Sequence, residues 1–320
     1  VYVLKSPVKI AICNDLITGS MGEKVLWDFL IESLPSSIGI DIHKAGSTGN
    51  YAENARNYIN QHHSDVEVII QNATFIDIVD NGRYTIAFLQ DDLHSMGRPS
   101  EQQEKNLKAA NKLVTTSRRL AKSYSDFRFE IIPVGADSDL FMPVPKAEIR
   151  RELGFGNETI AIFVGDFSEV KGWSKIYACL NYFPEISWIL VSKYYESYTA
   201  PNVRVYNRIP QELLVQLLNC ADFYISGSPV GTACLSAIEA CLCNIPVIMH
   251  NIGIFEDFTP EERATVGIFG PDFVAAIKEI KNHSFTPRDT ILSKKLTISN
   301  TMDNWRLLLA QTVVEIERGC

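Results

Sequence analysis

Strand-like runs that alternate with helical patterns, a second series of the same kind after the first, and a proline-broken stretch between them predict an α/β protein. The predicted architecture is two facing Rossmann-like, doubly wound domains with an interdomain cleft. The first series reads as strands at 8–13 (VKIAIC), 39–44, 66–71 (VEVIIQ), 84–90 (YTIAFLQ), 112–116 and 129–133, with helices near 22–33, 52–62 and 101–109. Each strand run is short, β-branched and apolar nearly throughout, as expected of parallel strands covered on both faces. The second series reads as strands at 160–165 (IAIFVG), 187–192 (SWILVS), 203–206, 222–226 (DFYIS), 246–249 (PVIM) and 266–269. Its helices fall near 172–182, 211–220, 233–243 and 272–281. Between the series, IIPVGADSDLFMPVPKAEIRRELGF (131–155) holds three prolines that interrupt any periodicity, which marks a hinge. The expected domains are 1–142 and 143–299.

Composition narrows the function classes. A chain of 320 residues with 46% hydrophobic and 21% charged residues is long enough for two cores. A formal net charge of −8 and a pI near 5.4 give no global attraction to nucleic acid or to anionic membranes. No apolar run reaches the roughly 18 residues of a membrane span, so the cytoplasm is the default compartment. Seven cysteines, scattered through apolar segments, read as buried thiols and not as a disulfide framework. Cys234, Cys241 and Cys243 lack the spacing and histidines of a zinc site, so no metal is expected.

The chemistry concentrates in strand-end loops. In SGSPVGTACLSAIEACLCNIPVI (226–248), Leu235, Ile238, Glu239 and Leu242 share one stripe of a helix, so a carboxylate faces the interior or a cleft. Such a charge needs a partner, either an internal salt bridge or a ligand. Ser228, Gly231 and Thr232 precede that helix and leave free backbone N–H groups near Thr232, Ala233 and Cys234 at its positive end, which makes an anion site or an ordinary helix start. Lys171, in the loop after strand 160–165, offers an ammonium to a phosphate or to solvent. NDLITGSMGEK (14–24) is a strand-end loop with Gly19 and Gly22. LQDDLHSMG (89–97) follows another strand and carries Asp91, Asp92 and His94. Lys105, Lys108, Lys112, Arg118, Arg119 and Lys122 form a local basic bias, a solvated face or a contact for an anionic acceptor or membrane surface.

In order and spacing, IIPVGADSDLFMP (131–143), FVGDFSEVKGW (163–173), NRIPQELLVQLLNCADFYISGSP (207–229) and LSAIEACLCNIPVI resemble the retaining glycosyltransferases of family four, glycosyl transferases group 1. The resemblance is carried by residues from about 130 onward and implies the GT-B fold. It implies a nucleotide-diphosphate sugar donor, a carbohydrate or other hydroxyl acceptor, and no cofactor or metal. Glu239 falls on the second Glu of the family's Glu-x7-Glu motif and would accept the ribose hydroxyls. Lys171 falls on its phosphate lysine, Ile209 on its base-contacting loop, and Gly19 on its glycine-rich loop facing the sugar phosphates. Gln90 falls where the family commonly has a His near the transferred sugar, with Asp91 following and His94 one turn on. The carboxyl-terminal helix near 300–318 resembles the family's final helix, which packs back on the first domain.

Two positions depart from the family. The first Glu is Gly231, which removes a sugar contact and is expected to open space, and the phosphate Arg is Asp166. Arg98, Arg118 and Arg119 are the expected compensating cations. The resulting expectation is a retaining, metal-independent hexosyltransferase in which Lys171 and the helix amides stabilise the leaving phosphate. An inverting enzyme would need Asp91, Asp92 or His94 as base. The alternatives are a catalytically weak nucleotide-sugar-binding protein on the same fold and a sugar-nucleotide epimerase.

Overall fold

In the computed structural model of the protein, residues 8–13, 40–45, 57, 60–61, 65–72, 82–93, 101–231 and 233–318 are described. They divide into two compact units: residues up to Val134 together with Ser299 onwards, and Gly135–Ile298. The division falls at 134/135, ahead of the 142/143 boundary expected from the prolines.

The first unit is built on a parallel sheet of β1 (Val8–Cys13), β2 (Ile40–Ala45), β3 (Val68–Asn72), β4 (Tyr84–Leu89), β5 (Lys112–Thr115) and β6 (Glu130–Ile131) in the order 2-1-3-4-5-6. All five residues of β3 are buried, which accounts for its unbroken apolar run ahead of two terminal amides. Helices α1 (Glu101–Ala109) and α2 (Arg118–Ser123) follow β4 and β5. The helices expected near 22–33 and 52–62 lie outside the described residues, apart from helical 57, 60 and 61. At six residues, α2 is too short to show a period in sequence; Ser117 caps it by accepting from Leu120 N–H.

The second unit holds β7 (Ile160–Val164), β8 (Ser187–Ser192), β9 (Val203–Asn207), β10 (Phe223–Ser226), β11 (Val247–Met249) and β12 (Gly267–Phe269), again all parallel, in the order 12-11-10-7-8-9. After α3 (Lys146–Glu152) come α4 (Trp173–Tyr182), α5 (Gln211–Cys220), α6 (Leu235–Leu242), α7 (Pro260–Val266), α8 (Phe273–Glu279) and α9 (Pro287–Ser293). One face of the sheet packs against α4 and α8 through Ile176, Leu180, Phe273 and Ile277. The other packs against α5, α6 and α9 through Leu217, Leu218, Ile238, Leu242 and Ile291. Burying each of these large side chains contributes about 1.5–3 kcal/mol.

The chain leaves and rejoins the first unit beside itself. Ile298 N–H donates to Ala136 O at 2.8 Å, and Gly135 lies so close to the strap before it that a Cβ would sit 2.3 Å from the backbone of Leu296. The final helix, α10 (Ile298–Glu317), belongs to the first unit from Ser299 onward. Thr301 Oγ1 donates to Pro133 O, Trp305 packs edge-on against Phe88, and Glu315 accepts from Lys112 Nζ at 2.9 Å and Tyr84 OH at 2.8 Å.

Candidate functional site

In the second sheet β7 and β10 are neighbours whose connections run apart. The β7 chain continues through α4 on one face to β8, whereas the β10 chain continues through α6 on the other face to β11. Diverging loops at such a switch point leave a crevice beyond the strand ends, the place where ligands bind in open α/β sheets. Here the two loops touch through glycine. Gly172 has φ 69°, and a Cβ on it would lie 1.9 Å from Gly227 O, so neither position admits a side chain. Ser228 Oγ reinforces the junction at 2.6 Å from both Val170 O and Val230 O.

Lys171 stands at this junction. Its stem crosses Gly165, where a Cβ would be 3.3 Å from Lys171 Cγ, and its exposed ammonium has no carboxylate partner. Asp166 is half-buried in the same loop and pairs with no cation. Ser168 Oγ is buried there without a hydrogen-bond partner.

Opposite Lys171 is the start of α6. Cys234, its N-cap, is left-handed (φ 53°, ψ 43°), a conformation that costs a residue with a side chain about 1–2 kcal/mol. Among the described residues no acceptor meets the N–H groups of Ala233, Cys234, Leu235 and Ser236, which stand at the positive end of an eight-residue helix. Burial pushes the Cys234 thiol up to about 12; Lys171 pulls it down and Glu256 pushes it up, so both charges flank this sulfur. The thiol is therefore protonated and reaches Ile252 O at 3.8 Å.

Gly231 does not open space. A Cβ there would lie 3.2 Å from Ile252 Cδ1 and 3.3 Å from Cys234 Sγ, because these side chains have closed over the position. Glu239, one turn into α6, is half-buried and has no hydrogen bond or ion pair from any side chain among the described residues. Burial raises its carboxyl from 4.5 to about 7. Ile209 is half-buried against the same core as α6, just after left-handed Arg208, whose guanidinium stacks over the exposed Tyr195 ring at 4.3 Å. Lys171, Gly231, Ala233, Glu239 and Ile209 thus all lie at the carboxyl edge of one sheet. Thr232 lies outside the described residues. A cavity of about 440 Å³ lined by Arg150, Asp222, Lys281 and His283 opens at the opposite, amino-terminal strand ends and borders none of them.

Gly19, His94 and Arg98 also lie outside the described residues. Asp91 is half-buried in the first unit, and its carbonyl accepts from Gln103 Nε2 at 3.1 Å. Asp92 is not available as a base: it is 6% exposed and held by Arg119 Nη1 at 3.1 Å and Ser123 Oγ at 2.7 Å. The same pair occupies Arg119, which was an expected compensating cation. Sequence reading missed Cys234 as a left-handed cap, Ile252 as the neighbour of Gly231, and Lys175, whose Nζ lies 2.5 Å from His250 Nε2. Each depends on which loops the sheet order brings together.

Residues 145–283, inside the second unit, match the family described as Glycosyl transferases group 1. The matched residues make up most of the second unit. Across both units the chain has the GT-B fold. It is similar to a sucrose-phosphate synthase from Thermosynechococcus elongatus (15% identity, TM-score 0.72, 98% of this chain and 99% of that one). It is also similar to the catalytic domain of starch synthase IV from Arabidopsis thaliana (12% identity, TM-score 0.64, 97% and 98%) and to a glycosyltransferase from Rickettsia africae (11%, 0.65, 98% and 100%). No curated protein sequence matches the chain. Among the described residues, no helix is long and apolar enough to cross a membrane, and no three His, Cys, Asp or Glu side chains are grouped to hold a metal ion.

Proposed function

We propose that this glycosyltransferase moves a sugar from a nucleoside-diphosphate donor, held by the second unit, to an acceptor hydroxyl with retention at the anomeric carbon. The observation that supports the reading is that an ammonium, a helix amino end and a carboxylate at the carboxyl edge of one sheet each have no partner among the described residues. The amides of Ala233–Ser236 and Lys171 complement a diphosphate. Glu239, further along the same helix, suits a ribose diol, whose two hydroxyls donate to a carboxylate. As the glycosidic bond breaks, charge grows on the leaving phosphate beside Lys171, and that phosphate takes the acceptor proton on the face it leaves.

Calorimetry with UDP, GDP, ADP and the corresponding nucleosides against Lys171→Ala and Glu239→Gln tests the reading. Lys171→Ala should weaken the diphosphates about tenfold and the nucleosides little. Glu239→Gln should weaken both. Equal, unchanged affinities in both variants would remove the donor site from this crevice.

A catalytically weak nucleotide-sugar-binding protein is the second reading. It is favoured by the closure of Ile252 and Cys234 over Gly231 and by the unpaired Asp166 beside the phosphate loop.

A further inference from the structure

The second sheet has a concavity at its other edge as well. The cavity of about 440 Å³ opens at the amino ends of β7, β10 and β11, and its size is that of a small-molecule pocket. Phe223, Pro246, Ile280 and Phe285 form its apolar lining, drawn from the amino ends of β10 and β11 and from the segment after α8. Charged side chains line the rest of it.

Those charges do not cancel. Arg150, on α3, donates through Nη2 to Asp222 at 2.7 Å, through Nε to Cys220 O at 2.9 Å and through Nη1 to Glu158 O at 3.1 Å. Lys146 Nζ reaches Asp222 at 3.0 Å, and the Ile160 N–H donates to the same carboxylate at 2.8 Å. Backbone N–H groups at Glu158 and Gly156, together with the Arg150 charge, hold the Glu158 carboxyl below its ordinary range. Arg150 and Lys146 therefore balance Asp222 and Glu158. Lys281 is left over: its ammonium donates to the Thr159 hydroxyl and meets no carboxylate among the described residues. Both Lys281 and Thr159 line the cavity, so this contact fixes the ammonium on its rim at a cost in side-chain entropy and without a counter-charge. The exposed His283 ring lies nearby, 5.9 Å between centroids from the Phe285 ring.

An ammonium and an imidazole beside apolar walls suit a carboxylate carried on an apolar body. Asp222 and Glu158 on the same lining repel a second negative charge, which disfavours a dianion such as a phosphate ester. We infer that this cavity binds a small organic monocarboxylate, held by Lys281 and His283 through its charge and by Phe285 and Pro246 through its body, at a site separate from the donor crevice. The inference uses the second unit alone and does not depend on the donor reading.

Fluorine NMR of the full chain with para-fluorobenzoate, its neutral amide and para-fluorophenyl phosphate tests it. The acid should bind at millimolar concentration, and the amide and the phosphate about tenfold more weakly. Lys281 is exposed, so Lys281→Gln should leave Tm unchanged while weakening the acid about tenfold, and Lys281→Arg should restore it. Lys171→Ala should leave the acid's affinity as it is. No binding of the acid, equal binding of the amide, tighter binding of the phosphate, or undiminished binding in Lys281→Gln overturns the site. So does loss of the acid in Lys171→Ala or its displacement by UDP, which would put the anion in the donor crevice. A protein that binds no UDP, GDP or ADP and still binds the acid would lose the donor reading and keep this one.

Discussion

At Glu239 burial moves a carboxyl toward neutral pH. Its carboxyl titrates near 7, raised by burial from 4.5, so the folded protein holds that proton more tightly than the unfolded chain does. Its contribution to stability is therefore fully present below about pH 4.5 and is lost as pH rises through about 7. Glu239→Gln should raise Tm at pH 8 and leave it nearly unchanged at pH 4.5. A ribose diol donates to the ionised form, so nucleotide affinity should climb between pH 6 and 8 in the parent and stay flat in the Gln variant; parallel profiles would count against the contact. At Gly231 the crowding by Ile252 and Cys234 predicts that Gly231→Ala costs about 1 kcal/mol in urea unfolding, through overpacking. A neutral or stabilising result would mean the position is open. Asp166 remains the departure that nothing in the structure explains.

Among elements, α6 is held from behind. Arg288, on α9, donates through Nη1 to Leu242 O, at the carboxyl end of α6, and to Phe141 O at 2.8 Å, and through Nη2 to Ser138 O at 3.1 Å. A cation at the negative end of the helix also complements its dipole. Arg288→Ala should cost about 3 kcal/mol in urea unfolding, and Arg288→Lys should recover only part of it, because an ammonium lacks the planar fork. Full recovery by Lys would assign the role to charge alone. A different device, a capping box, starts α7, where Thr259 and Glu262 exchange hydrogen bonds ahead of Pro260. That helix was readable from TPEE, yet sequence reading passed over it, because seven residues do not display a helical period.

On the scale of the whole molecule, the second unit is one continuous stretch, Gly135–Ile298, whereas the first is completed by the final helix. Residues 135–298 alone should fold cooperatively and keep the nucleotide affinity of the full chain. Loss of that affinity in a folded fragment would place part of the donor site outside this unit. Ending the chain at Ile298 should instead weaken the first unit, because Phe88, Tyr84 and Lys112 lose Trp305 and Glu315.

The parallel strands of both sheets were legible because a strand buried on both faces must be apolar along its whole length, and such runs are visible residue by residue. Glu239 stood out in the sequence because a charge on an apolar helix stripe contradicts its local pattern, whereas Lys171 was singled out by its resemblance to a family motif. The division between the units falls ahead of the prolines because prolines mark where regular structure stops, whereas a division is set by which residues pack together. The packing over Gly231 and the pairing of Asp92 with Arg119 were decided by tertiary structure alone. Each is a meeting of side chains or of strand ends brought together by sheet order, and no single segment records its neighbours.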